Sequence, residues 1–452
     1  MTERLWSGTA KLDPRVEKLT VGDDPRLDVA LVPFDALGSV AHAVMLSEIG
    51  LLTEAECRQL CTGLWRIAQE ALAGDFAIDP SQEDCHTAIE QRLTAEFGDA
   101  GRRIHTGRSR NDQVLAAIRL WAREQLVALG EQVLELVEAL RLRADEFKDV
   151  SLPGYTHTRQ AMPATLGFYL AAHAEGLLDD LRWLETAFAH VNRSPLGSAA
   201  GFGVALPLDR ARVAHLLAFD GVQNNTLAVQ NDRGKSEALV LAVVAATATD
   251  LGRLASDLIW FSSDELGYVQ LSPQVTTGSS IMPQKRNPDV LEIVRASAAR
   301  LRSLQHEVAN IYGALPSGYH RDLQLTKRPL LEGMRSLSDL LGAMTAVIES
   351  CAADPERART AIKPETAATD ALCADIRDGT PFRTAYRRIA EAPGQAYRGE
   401  VSESWRERMH AGSPAQLNLD EIVERAKKEA DALRERKARL TAVWNWFEEM
   451  AT

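Results

Sequence analysis

Residues 278–288 read G-S-S-I-M-P-Q-K-R-N-P, placing two hydroxyls, an ammonium and an amide among small residues and two prolines. Such a segment can order over a bound substrate, and its backbone N–H groups, with Lys285 and Asn287, would hold negative charge as it develops. A mobile linker has the same composition, so the chemistry needs partners elsewhere. Residues 105–113, H-T-G-R-S-R-N-D-Q, follow Arg102 and Arg103 in a chain whose formal net charge is −12. At a helix start this density of cations reads as a dicarboxylate cradle, with Arg–Glu pairs bracing helices as the competing account. The P-G-Y-T-H at 153–157 sets one histidine after a glycine turn, a position more often structural. Residues 315–327, L-P-S-G-Y-H-R-D-L-Q-L-T-K, offer Tyr319, Gln324 and Lys327 at what is otherwise an ordinary amphipathic helix start.

These groups need a scaffold, and apolar spacing supplies one. Leu126, Leu129, Val133, Val137 and Leu140, and again Leu254, Leu258 and Phe261, recur at three and four residues, the period of a helix. Residues 237–254 are apolar nearly all round and rich in alanine, which predicts a helix enclosed by others. Period-two runs of β-branched residues are almost absent, so the fold class is all-α. Three helical units are expected: 1–108, a central bundle 109–360 carrying the loop 272–288, and 361–452, whose charged helix from Asp420 to Met450 reads as solvated.

The loop resembles the signature of the fumarase/aspartase superfamily, G-S-S-x-x-P-x-K-x-N. The resemblance implies three helical domains around a long-helix bundle and β-elimination of fumarate. It makes Ser279 the base that takes the Cβ proton, with Ser280 as the fallback, and gives Lys285 and Asn287 to a substrate carboxylate. A hydroxyl is a poor base at neutral pH, so desolvation, positive charge and backbone donors must activate it. Proton removal beside a carboxylate creates a dianionic aci-carboxylate, which is what preorganised donors must stabilise.

Within the superfamily, H-T-G-R-S-R-N-D-Q is the pattern of argininosuccinate lyases. That likeness implies release of fumarate and arginine. It makes Asn111 a substrate contact, helped by Arg108 and Arg110, and gives Thr156 a substrate contact and His157 the acid role, polarised by Glu292. Tyr319, Gln324 and Lys327 match the family's Y-x-x-D-x-Q-x-x-K and would read the arginine end. A cytoplasmic homotetramer with each site built from three chains is implied, without metal or organic cofactor. Another fumarate-releasing lyase, such as one acting on adenylosuccinate, or a silent crystallin-like relative are the alternatives.

The likeness strains at both ends of the motif set. The family's W-G-G-R-F becomes W-S-G-T-A at 6–10, and its F-[NT]-x-S ends here in Gly22, which has no hydroxyl to offer. Residues 225–234 read N-T-L-A-V-Q-N-D-R-G, a divergent bacterial form, and G-K-S at 234–236 lacks the first glycine of a phosphate loop. The acidic balance argues against a nucleic-acid or anionic-membrane binder. The longest apolar stretch, 238–246, is about half a membrane span. No C-x-x-C pair joins Cys57, Cys61, Cys85, Cys351 and Cys373, as expected in a reducing compartment.

Overall fold

The structure is a computed structural model and describes residues 13–452, so the W-S-G-T-A stretch lies outside the described residues. Helices α1 (Val32–Glu48), α2 (Glu54–Ala73) and α3 (Cys85–Phe97) form a first group. The chain then enters α4 (Arg110–Glu146), whose start is fixed by a reciprocal cap. The Asn111 N–H donates to Ser109 Oγ at 3.3 Å. In return the Ser109 N–H donates to Asp112 Oδ1 at 2.9 Å. Asp112 Oδ2 also accepts from the N–H groups of Gly197 and Ala199, at 3.0 and 2.9 Å. One buried carboxylate therefore ties the helix start to the loop that follows the next helix.

Strands β1 (Ser151–Thr156) and β2 (Arg159–Thr165) pair antiparallel after α4 and lead into α5 (Leu166–Val191). The sequence reads this stretch as a loop, because its prolines and lack of a β-branched run hide any period of two. The two-residue turn and the seat of Tyr155 hold the pairing instead: its ring lies 4.5 Å from that of Trp260, and its hydroxyl 2.8 Å from that of Tyr268.

The bundle is completed by α6 (Lys235–Phe261), α7 (Asp289–Gly313) and α8 (Lys327–Ser350). Helix α6 packs on α5, α7 and α8, and Val240, Leu241, Val244, Ala248 and Leu251 are at most 1% exposed. The enclosure is incomplete, since Ala242, Ala245, Ala246, Thr249 and Asp250 form a half-buried stripe. The stretches Pro14–Glu48 and Thr226–Phe261 are long and apolar enough to cross a membrane, yet 83% and 61% of their apolar windows are buried inside the fold, as in core helices.

Short helices α9 (Ala368–Arg377) and α10 (Phe382–Glu391) precede α11 (Leu419–Ala451). Helix α11 is more than solvated. Leu433, Leu440, Val443 and Phe447 are buried, and Leu433 fits over Gly130 of α4 so closely that a Cβ there would meet it at 2.9 Å. Its charges face outward in pairs such as Lys437–Glu131 at 2.9 Å.

Candidate active site

The start of α4, the residues before α6 and the segment leading into α8 enclose a cleft of about 670 Å³. Arg108, Arg110, Asn111, Tyr319, Gln324 and Lys327 all line it. Two motifs some two hundred residues apart thus converge, because α4 and α8 start at the same end of the bundle. A larger cleft of about 970 Å³, between α4 and α11, contains none of these groups. Size does not mark the site.

Inside the cleft most cations are already paired. Arg110 donates to Glu83 at 3.1 Å and to Thr87 Oγ1 at 2.6 Å. Arg321 donates to the other Glu83 oxygen at 2.6 Å. Against the cost of burial, these guanidinium partners hold Glu83 below its usual pKa. Arg108 is 8% exposed and donates to Ser39 Oγ at 2.8 Å, and burial lowers its pKa. Lys327 is 2% exposed, with its ammonium on Asp24 at 3.0 Å and in contact with Asp28. Burial works against that charge, but Asp28 and Asp24 outweigh it and raise the Lys327 pKa. Two neighbouring histidines diverge: burial, then Arg108, pushes His105 down to about 4. Burial also opposes charge on His86, yet Asp35, accepting from its Nδ1 at 3.0 Å, leads the groups that raise it. Asp35, Cys85 and His86 have side-chain ligand atoms within 4.8 Å of one another. Cys85 and His86 are adjacent, and only the distance in sequence to Asp35 concealed this grouping, whose His–Asp bond is already made.

The signature loop stands elsewhere. Strands β3 (Thr277–Gly278) and β4 (Arg286–Asn287) close its stem, leaving residues 279–285 as the tip. Ser279 Oγ accepts from the N–H groups of Ile281 and Met282, at 3.4 and 3.1 Å. Two amide donors favour the anionic form of that oxygen. Lys285 is exposed and lines a separate cleft of about 660 Å³ near the end of α6. Asn287 is half-buried, and Glu292 is exposed on the first turn of α7.

Thr156 and His157 are exposed at the tip of the β1–β2 hairpin. His157 and Thr158 have φ of 52° and 59°, a turn normally built from glycine or asparagine. Backbone of this kind is costly for such residues and persists only where the surrounding structure imposes it. His157 makes no ion pair with Glu292 within this chain.

A lyase family model matches residues 11–302. The chain is 42% identical over 430 residues to the argininosuccinate lyase of Sorangium cellulosum, covering 95% of this chain and 100% of that one. The argininosuccinate lyase of Thermotoga neapolitana is 40% identical over 87% of this chain and 99% of its own. The chain belongs to the argininosuccinate lyase family. This lyase also resembles solved structures: an EDDS lyase in complex with formate at 27% identity and TM-score 0.84, covering 98% and 96% of the two chains. A class II fumarase from Schistosoma mansoni, 15% identical with TM-score 0.72 over 86% and 94%, shares the fold.

In this lyase the sequence motifs omit several cleft groups. Arg233, 4% exposed, lies with its guanidinium 5.3 Å from the Tyr319 ring centre. Its segment reads in sequence only as a departure, and nothing there marks one arginine as facing the cleft. Arg321 and Asp24 are likewise visible only once the amino-terminal residues are seen lying across the segment before α8. Gly22, the departure from the family serine, has φ 57° and ψ −132°, a conformation open to glycine and strained for serine.

Proposed function

We propose that this chain is an argininosuccinate lyase, eliminating fumarate from argininosuccinate to give arginine in the cytoplasm. The observation that carries the reading is the convergence of residues 105–113 and 315–327, the two segments that separate this family from its superfamily, on one cleft. In the proposed reaction Ser279 takes the proton from the carbon beside the carboxylate, and the electron pair is held as the aci-carboxylate by Lys285, Asn287 and loop amides. Collapse of that dianion breaks the C–N bond. His157, polarised by Glu292, returns a proton to the leaving guanidino nitrogen. Thr156 contacts substrate, and Asn111 with Arg108 and Arg110 binds it in the cleft. The EDDS lyase likeness favours another succinyl adduct as the second reading. Fumarate absorbance with argininosuccinate, adenylosuccinate, aspartate and malate offered separately is expected to rise with argininosuccinate alone; release from a different substrate overturns the specificity.

The working unit in this reading is a homotetramer whose sites each draw on three chains. Support comes from geometry within one chain. The cleft lies at the start of α6 and the loop at its end, and α6 has 27 residues, about 40 Å at 1.5 Å per residue. Exposed Ile281, Met282 and Ile293, and separately the half-buried α6 stripe, suit contact with further copies. Inactive Asn111→Ala and Ser279→Ala chains, co-expressed, are expected to regain activity, since random mixing leaves roughly one site in four with both groups. Hybrids as inactive as their parents would put each site within one chain.

A further inference from the structure

Asp24 lines the cleft although it is only 7% exposed. Its Oδ1 accepts from Lys327 Nζ at 3.0 Å, and its Oδ2 accepts from the Gln324 amide. It therefore touches two of the groups given to the arginine end. The Gln324 nitrogen also donates to the carbonyls of Thr20 and Val21, at 3.3 and 3.4 Å. Turned round, the amide oxygen would face three acceptors, so chemistry fixes the nitrogen inward and leaves the oxygen for a ligand. Lys327 bonds both Asp24 and Asp28. Ionised, the two carboxylates outnumber the one ammonium bonded to them, and the Arg233 guanidinium, which makes no ion pair among the described residues, is the further cation acting on Asp24. A carboxylate beside an outward amide oxygen presents acceptors only, which suits a cationic group carrying N–H donors.

Resting on the activity proposed above, we infer that Asp24 determines specificity, its carboxylate and the Gln324 oxygen accepting the α-ammonium of the substrate's arginine end. Gly22 cannot offer a hydroxyl, and its backbone conformation disfavours regaining one. Asp24, two residues on, supplies a stronger acceptor from the same strap. That strap is held across the cleft by Arg321, which donates to the Thr20 carbonyl at 2.7 Å.

The test compares inhibition of fumarate release by L-arginine and by 5-guanidinopentanoate, which lacks the α-ammonium. The unaltered protein should prefer arginine by about tenfold or more, the worth of a charge-assisted hydrogen bond. In Asp24→Asn the preference should fall to near parity, with KM rising by a larger factor than kcat falls. Undiminished preference in Asp24→Asn overturns the assignment. So does an unaltered protein that binds both inhibitors equally, a result independent of whether the variant folds. An unaltered protein that releases no fumarate from argininosuccinate removes the activity reading itself, and the assignment with it.

Discussion

Ser279→Ala is expected to fold and assemble as the unaltered protein does and to lose about 10²- to 10⁴-fold in kcat, the usual contribution of a positioned base. The side chain sits on a loop tip outside the hydrophobic core, so no cavity forms when its oxygen goes. What goes with it is the acceptor of the Ile281 and Met282 amides. Those donors are aimed at an oxygen and stabilise it most when it carries charge, which is the state a serine base must reach. KM should move little, because proton removal follows binding. Circular dichroism and light scattering beside the fumarate assay separate lost chemistry from lost structure. Turnover close to that of the unaltered protein would move the base role to Ser280.

Lys327→Met is expected to cost about 3–5 kcal/mol of stability at pH 8, because it leaves Asp24 and Asp28 buried without their cation. Both are buried, at 7% and 0% exposure. The loss should shrink as the pH falls. Burial already raises Asp24 to about 6 against an ordinary 3.8, so the folded state holds a proton that the unfolded state gives up. Stability from that group then falls as pH rises through the window between those values. Removing Lys327 takes away an interaction that lowers the Asp24 pKa, and so extends the window upward. Urea midpoints at pH 5 and pH 8 measure the effect. A variant that binds substrate poorly but unfolds at the same urea concentration at both values would make Lys327 a ligand of the substrate rather than of the fold.

The helical class, the loop and the cleft motifs were legible because each is local. A helix announces itself by apolar spacing over a few turns, and the reciprocal cap at Ser109 and Asp112 lies within four residues of sequence. The β1–β2 hairpin was not legible, since its register rests on Tyr155 meeting Trp260 and Tyr268, more than a hundred residues away. The packing of α11 depends likewise on Leu433 finding Gly130.

Charge pairing divides in the same way. The sequence by itself determined which residue types were present for acid, base and carboxylate recognition, because those follow from identity and spacing. Only the tertiary structure decided that Arg110 shares Glu83 with Arg321, that Lys327 is enclosed by Asp24 and Asp28, and that the loop and cleft stand at opposite ends of α6. Desolvation and Coulomb energy depend on distance and burial in three dimensions, and neither quantity is a property of position along the chain.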